Sequence, residues 1–194
     1  MKRNERIRQI AVYSVYIIFF TTLQVSFPDS FSLRNQTADF MLVLVVLSGY
    51  FYKTFDGAVV GLTVGLIRDV LAGTTLGVGA LLFFFIGILS SVFFSKAFHS
   101  RASLAILQVT IMTLGYKIIG HLWFFFIPML ERHDTIYLPF QTIVLDSILP
   151  QLGVNLLVAI PMIFLIKYIG PYRVGYVQPE EGTRVSTEGL WRKG

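Results

Sequence analysis

The sequence predicts an all-α polytopic membrane protein with six transmembrane helices and both termini in the cytoplasm, and three observations predict it. Only 14% of the 194 residues are charged while 55% are hydrophobic and 15% aromatic, against about 25% charged in soluble domains. Eighteen Phe, nine Tyr and a mean hydropathy of +0.70 leave too little polar surface to clothe a globule and too much apolar residue for a disordered chain. At about 20 apolar residues per crossing, six spans consume about 120 residues and leave short loops and one tail. The third observation is charge placement. With the N terminus inside, twelve of the sixteen Lys and Arg fall on the cytoplasmic side, Arg34, Arg68 and Arg132 fall outside, and Lys117 lies within a span. Topology thus accounts for the net charge of +5 and the pI near 9.6, and no nucleic-acid partner is required.

The elements follow in order. Lys2, Arg3, Arg6 and Arg8 precede an uncharged run from Ile10 to Phe27. That run exceeds the usual 7 to about 15 residues of a signal-peptide core, and Ser26-Phe27-Pro28-Asp29 offers no small-residue cleavage site, so it predicts an uncleaved first helix. The runs Phe40 to Tyr52 and Gly57 to Ala72, joined by Lys53-Thr54-Phe55-Asp56, make only about 20 to 25 Å of helix each. They predict two short spans, with a re-entrant hairpin as the alternative. Val78 to Phe94, Leu104 to Ile127 and Phe140 to Ile169 complete the set, and Pro150 and Pro161 predict kinks in the last. Residues 1–170 form the transmembrane domain. Residues 171–194 have no apolar period and predict a disordered cytoplasmic tail, whose Leu190-Trp191-Arg192-Lys193 end would be at ease at headgroup level.

Several residues stand out as candidate sites. Gly57, Gly61 and Gly65 recur every four residues on one face of helix three, a small-xxx-small pattern that brings helices close in lipid, for internal packing or a partner helix. Arg68 and Asp69 follow, then a turn bracketed by Gly73 and Gly77. Adjacent helical residues point about 100° apart, so Arg68 and Asp69 each require another partner. Asp69 is placed either to hold the turn through the Thr74 or Thr75 region or to bind. Lys117 and His121 share a face of helix five, and Asp146 opens helix six at similar depth. A polar clasp of Lys117, His121 and Asp146, or a proton relay through them, is the expectation. Asp39, just before helix two, is placed to cap it.

No GxxxxGK[ST], HExxH, GxSxG or acidic magnesium-binding cluster is present, and the absence of Cys removes thiol chemistry. His99, His121 and His133 lie in separate segments, which argues against a metal site. The sequence therefore predicts neither an enzyme nor a cofactor.

Thr37-Ala38-Asp39-Phe40, the glycine face Gly57 to Gly65, Gly65-Leu66-Ile67-Arg68-Asp69 and the Leu71 to Gly79 segment together resemble the MreD family, the small polytopic rod shape-determining proteins of bacteria. The resemblance covers about Asp39 to Ser95. It implies a non-catalytic, multi-pass protein of the bacterial cytoplasmic membrane that binds MreC. Through MreC it would support the MreB, SEDS glycosyltransferase and class B penicillin-binding protein complex of lateral peptidoglycan synthesis, with membrane lipids as surroundings. The implied fold is similar to the S components of energy-coupling-factor transporters. That similarity supplies the alternative function, a vitamin- or metal-binding S component, although the first span has Ala11 followed by Val15 where such a component would carry an Ala-xxx-Ala docking face. A proton-coupled transporter is a third class, without an internal repeat to support it.

Overall fold

A computed structural model describes residues 3–26, 32–52, 54–73, 75–93, 102–131 and 143–171. Phe27, Lys53, Thr74, His99, His133, residues 140–142 and the tail from 172 onward, with its Leu190–Lys193 end, lie outside the described residues. Among the described residues six α-helices carry the fold: α1 (Arg3–Ser26), α2 (Phe40–Phe51), α3 (Thr54–Ala72), α4 (Val78–Phe93), α5 (Ala102–Glu131) and α6 (Leu149–Tyr168). A π-helical turn, Ile143–Ile148, leads into α6, and a two-stranded hairpin of β1 (Ser32–Leu33) and β2 (Gln36–Thr37) joins α1 to α2. Arg34 and Asn35 form the hairpin turn with φ of 48° and 61°, the left-handed pair that a two-residue turn needs to match strand twist.

Helix α2 is the centre. Its twelve residues are apolar around the whole circumference apart from Ser48 and Gly49, and Phe40 to Tyr50 are all buried. A helix with no polar face has to be covered on every side, and α1, α3, α4, α5 and α6 all pack against it. It runs parallel to α6. At its N-terminal end the Asp39 N–H donates to Asn155 Oδ1 at 2.8 Å, and at its C-terminal end the Tyr52 hydroxyl donates to the Ile166 carbonyl at 2.8 Å. The ends of α2 therefore lie at opposite ends of the bundle, and α3 runs back beside it.

The other helices bury one face, with Phe83, Val109 and Ile163 among their core residues, and also turn large apolar residues outward. On α3 the outer face carries Phe55, Val59, Leu62, Leu66 and Val70, and on α4 Leu81, Phe85, Leu89 and Val92. Such a surface is matched to hydrocarbon and not to water. Helical segments Ile7–Ser26, Ala102–Leu122 and Val144–Tyr168 are long and apolar enough to cross a membrane, and Phe40–Phe51 and Val78–Phe93 are shorter apolar helices. The chain is thus a helical membrane protein.

Three backbones converge at the glycines. A Cβ placed on Gly57 would stand 2.6 Å from the Gly87 carbonyl oxygen and 2.7 Å from Gly49 Cα, and one on Gly65 would stand 2.5 Å from Ala80 Cα. Gly61 is pressed equally hard against the Phe83 carbonyl. The glycine face of α3 is therefore an internal contact with α4, and Gly49 of α2, which the sequence did not flag, shares it. Gly73 and Gly77 differ. Their φ angles are 62° and 103°, and a Cβ on either would meet nothing within 4 Å. They act through turn conformation and not through close packing within the chain.

The two helical termini of the chain meet at the end opposite the hairpin. Tyr16 donates to the Ile169 carbonyl at 2.7 Å and the Leu165 carbonyl at 3.3 Å, and Arg8 Nη2 reaches the Gly170 carbonyl at 3.4 Å. Together with Tyr52 they reach carbonyls at and just past the last turn of α6, of which Leu165 also keeps the Ile169 N–H at 2.8 Å. Pro150 occupies the first turn of α6, where its missing N–H costs nothing, so it starts the helix instead of kinking it. Pro161 does lie inside α6 and removes one N–H from its ladder.

Candidate functional site

The polar residues gather at the hairpin end. Asp39 stands before α2, and its Oδ1 accepts the Leu42 N–H at 2.9 Å, an N-cap as expected from its position. Its Oδ2 accepts from Arg68 Nη1 at 2.6 Å. Asp39 is buried, while 32% of the Arg68 side chain remains exposed. The guanidinium lies against two rings, with Cζ 5.1 Å from the Phe83 centroid and 5.3 Å from that of Tyr116. One carboxylate and two aromatic faces thus hold a cation that would otherwise be expensive at this depth.

Asp69, buried one position on, takes a separate role. Its Oδ2 accepts from Gly77 N–H at 2.8 Å and Ala80 N–H at 3.2 Å, and its Oδ1 from Gly79 N–H at 3.1 Å. These are the amides that open α4, so the carboxylate satisfies donors the helix cannot and sits at the positive end of its dipole. Thr74, one of the expected donors, lies outside the described residues, and the described donors to Asp69 are the amides of Gly77, Gly79 and Ala80. Arg68 and Asp69 ignore each other, as the 100° spacing requires.

A chain of amides links Asp39 to α5 and α6. Asn155 Oδ1 receives the Asp39 N–H and also Gln151 Nε2 at 3.1 Å, while Asn155 Nδ2 donates to Thr113 Oγ1 at 3.2 Å. Gln151 Nε2 also donates to the Thr37 carbonyl at 2.8 Å, and Gln24 Oε1 accepts the Phe40 N–H at 2.8 Å. The sequence reading passed over all of these. The available signal was Gln151 and Asn155, two amides one turn apart in an apolar run.

The expected clasp of Lys117, His121 and Asp146 is not formed. Lys117 Nζ donates to Gln36 Oε1 at 2.6 Å, His121 Nε2 shares a hydrogen bond of 3.2 Å with Ser147 Oγ, and Asp146 pairs with Arg34 at 3.3 Å. The last pair is exposed, with 64% and 57% of the two side chains accessible. Similar depth brought the three to one end of the bundle. Their rotation about the helix axes, and the hairpin that inserts between them, gave each its own partner. Gln108 on α5 is a further buried polar residue; among the described residues neither amide atom has a hydrogen-bond partner.

No family model, curated protein or solved structure matches this chain. Its own geometry defines the site. It is a set of structural locks, in which Asp39, Asp69 and Asn155 each satisfy backbone amides, with the partly exposed cations Arg68 and Lys117 at its margin.

Proposed function

We propose that this chain is a non-catalytic component of the bacterial cell-elongation machinery, a protein of the MreD family that binds MreC in the cytoplasmic membrane. Through MreC it supports lateral peptidoglycan synthesis by the SEDS glycosyltransferase and class B penicillin-binding protein associated with MreB. It crosses the membrane six times, with both ends in the cytoplasm and the hairpin end outside. The alternation of Lys and Arg supports that orientation.

The observation that carries the reading is how the family-like segment is used. Asp39 caps α2 and pairs with Arg68, Gly57, Gly61 and Gly65 seat α3 on α4, and Asp69 locks the start of α4. Every feature that makes the segment resemble the family serves rigid packing, which suits a scaffold. An S component is supported less well. Val15 stands where its docking face needs a small residue, and Val15, Ile18 and Phe19 are all exposed on α1. A proton relay is also supported less well, because Lys117, His121 and Asp146 hold separate partners.

The test is removal of the chain from the bacterium that encodes it. Cells should lose rod shape and regain it when the parent chain is restored. Rod shape maintained after complete removal would contradict the proposal.

A further inference from the structure

Lys117 is a half-buried cation without a counter-charge. Its ammonium donates to the neutral Gln36 side chain, and among the described residues no carboxylate lies within ion-pairing distance of it. The described carboxylates of this end are committed elsewhere: Asp39 to Arg68, Asp146 to Arg34, and Asp69 to the amides of α4. A desolvated ammonium held only by an amide is costly, and among the described residues one of its three donors is used.

Two more donor side chains belong to the same end. Arg68 lies against the ring of Tyr116, the chain neighbour of Lys117, with Cζ 5.3 Å from its centroid. The guanidinium bonds Asp39 through Nη1 alone and is partly exposed. One turn along α5 from Lys117, His121 contacts Ser147 through one ring nitrogen. Between these two on the sequence, Gly120 faces open space, since a Cβ there would meet nothing within 4 Å. Unspent N–H donors around an ammonium that no described carboxylate neutralises are what an anion site requires. A phosphate suits it best because its several oxygens accept from separated donors at once, with lysine acting as a point charge.

We propose that Lys117, with Arg68 and His121, binds a phosphate-class anion at the hairpin end of the bundle. A phospholipid headgroup and free inorganic phosphate share this chemistry. The inference stands independently of the cell-elongation proposal.

The test uses the full chain in an uncharged, phosphate-free detergent, with thermal unfolding followed during titration of inorganic phosphate, of phosphatidylglycerol, or of diacylglycerol with matched chains. Phosphatidylglycerol should raise the melting temperature where diacylglycerol does not, which assigns a headgroup; stabilisation by inorganic phosphate assigns a soluble anion. Lys117→Met should weaken the effect roughly tenfold or more, and Lys117→Arg should retain it. Gln36→Ala, which frees the ammonium from its neutral partner, should bind at least as tightly as the parent. This variant decides the matter if Lys117→Met does not fold. A parent unmoved by both phosphate ligands, a Lys117→Met variant stabilised as strongly as the parent, or loss of binding in Gln36→Ala would overturn the proposal.

Discussion

Asp39 divides its two oxygens between a helix cap and an ion pair, and the division makes a measurable demand. Removing Arg68 leaves a buried carboxylate with its cap but no cation. Arg68→Met should therefore lower stability by roughly 2 to 3 kcal/mol, below the about 3 to 5 of a fully buried pair because a third of the Arg68 side chain is exposed. Adding Asp39→Asn should recover much of the loss, since Asn keeps the capping oxygen and discards the charge. Asp146→Leu breaks only an exposed pair and should cost less than about 1 kcal/mol. Unfolding of the three variants in one detergent checks the order, and a larger loss for Asp146→Leu than for Arg68→Met would reinstate a clasp at Asp146. The cap at Asp39 was legible because a carboxylate just before an apolar run has few other uses. The partner of Arg68 was not, because it lies 29 residues away on another element.

Among the elements, the pairing of α3 with α4 depends most on the absence of side chains. Gly65→Ala would press a methyl group onto the Ala80 backbone, which cannot move without separating the helices, so a loss of about 1 to 3 kcal/mol is expected. Gly120→Ala, on an open stretch of α5, should instead be neutral or stabilising by up to about 1 kcal/mol through helix propensity. Equal effects in thermal unfolding would show that the α3 face is not a tight contact. The glycine period was plain in the sequence, because spacing of four fixes a common face whatever the partner. The roles of Gly73 and Gly77 were less plain, since turn glycines and packing glycines look alike until φ is known. The partners of Lys117 and His121 were the least legible. Axial depth follows from counting residues, but rotation about an axis depends on neighbours, and here a hairpin of two short strands supplied the partner of Lys117.

At the scale of the whole molecule, among the described residues one predominantly apolar helix is packed against by five that turn large apolar residues outward, a surface matched to hydrocarbon. The proposed orientation predicts that reporter fusions after Ser30 and Arg132 are external, while those after Ala97 and Gly194 are cytoplasmic. An external C terminus would contradict six spans. The central claim is that this bundle is a scaffold bound to MreC, and purification in mild detergent from its own bacterium, followed by mass spectrometry of everything that co-elutes, tests it most directly. The account predicts MreC as a stoichiometric companion, lost in a folded variant only when the contact surface is altered. A stoichiometric vitamin together with a transport module, and no MreC, would contradict it.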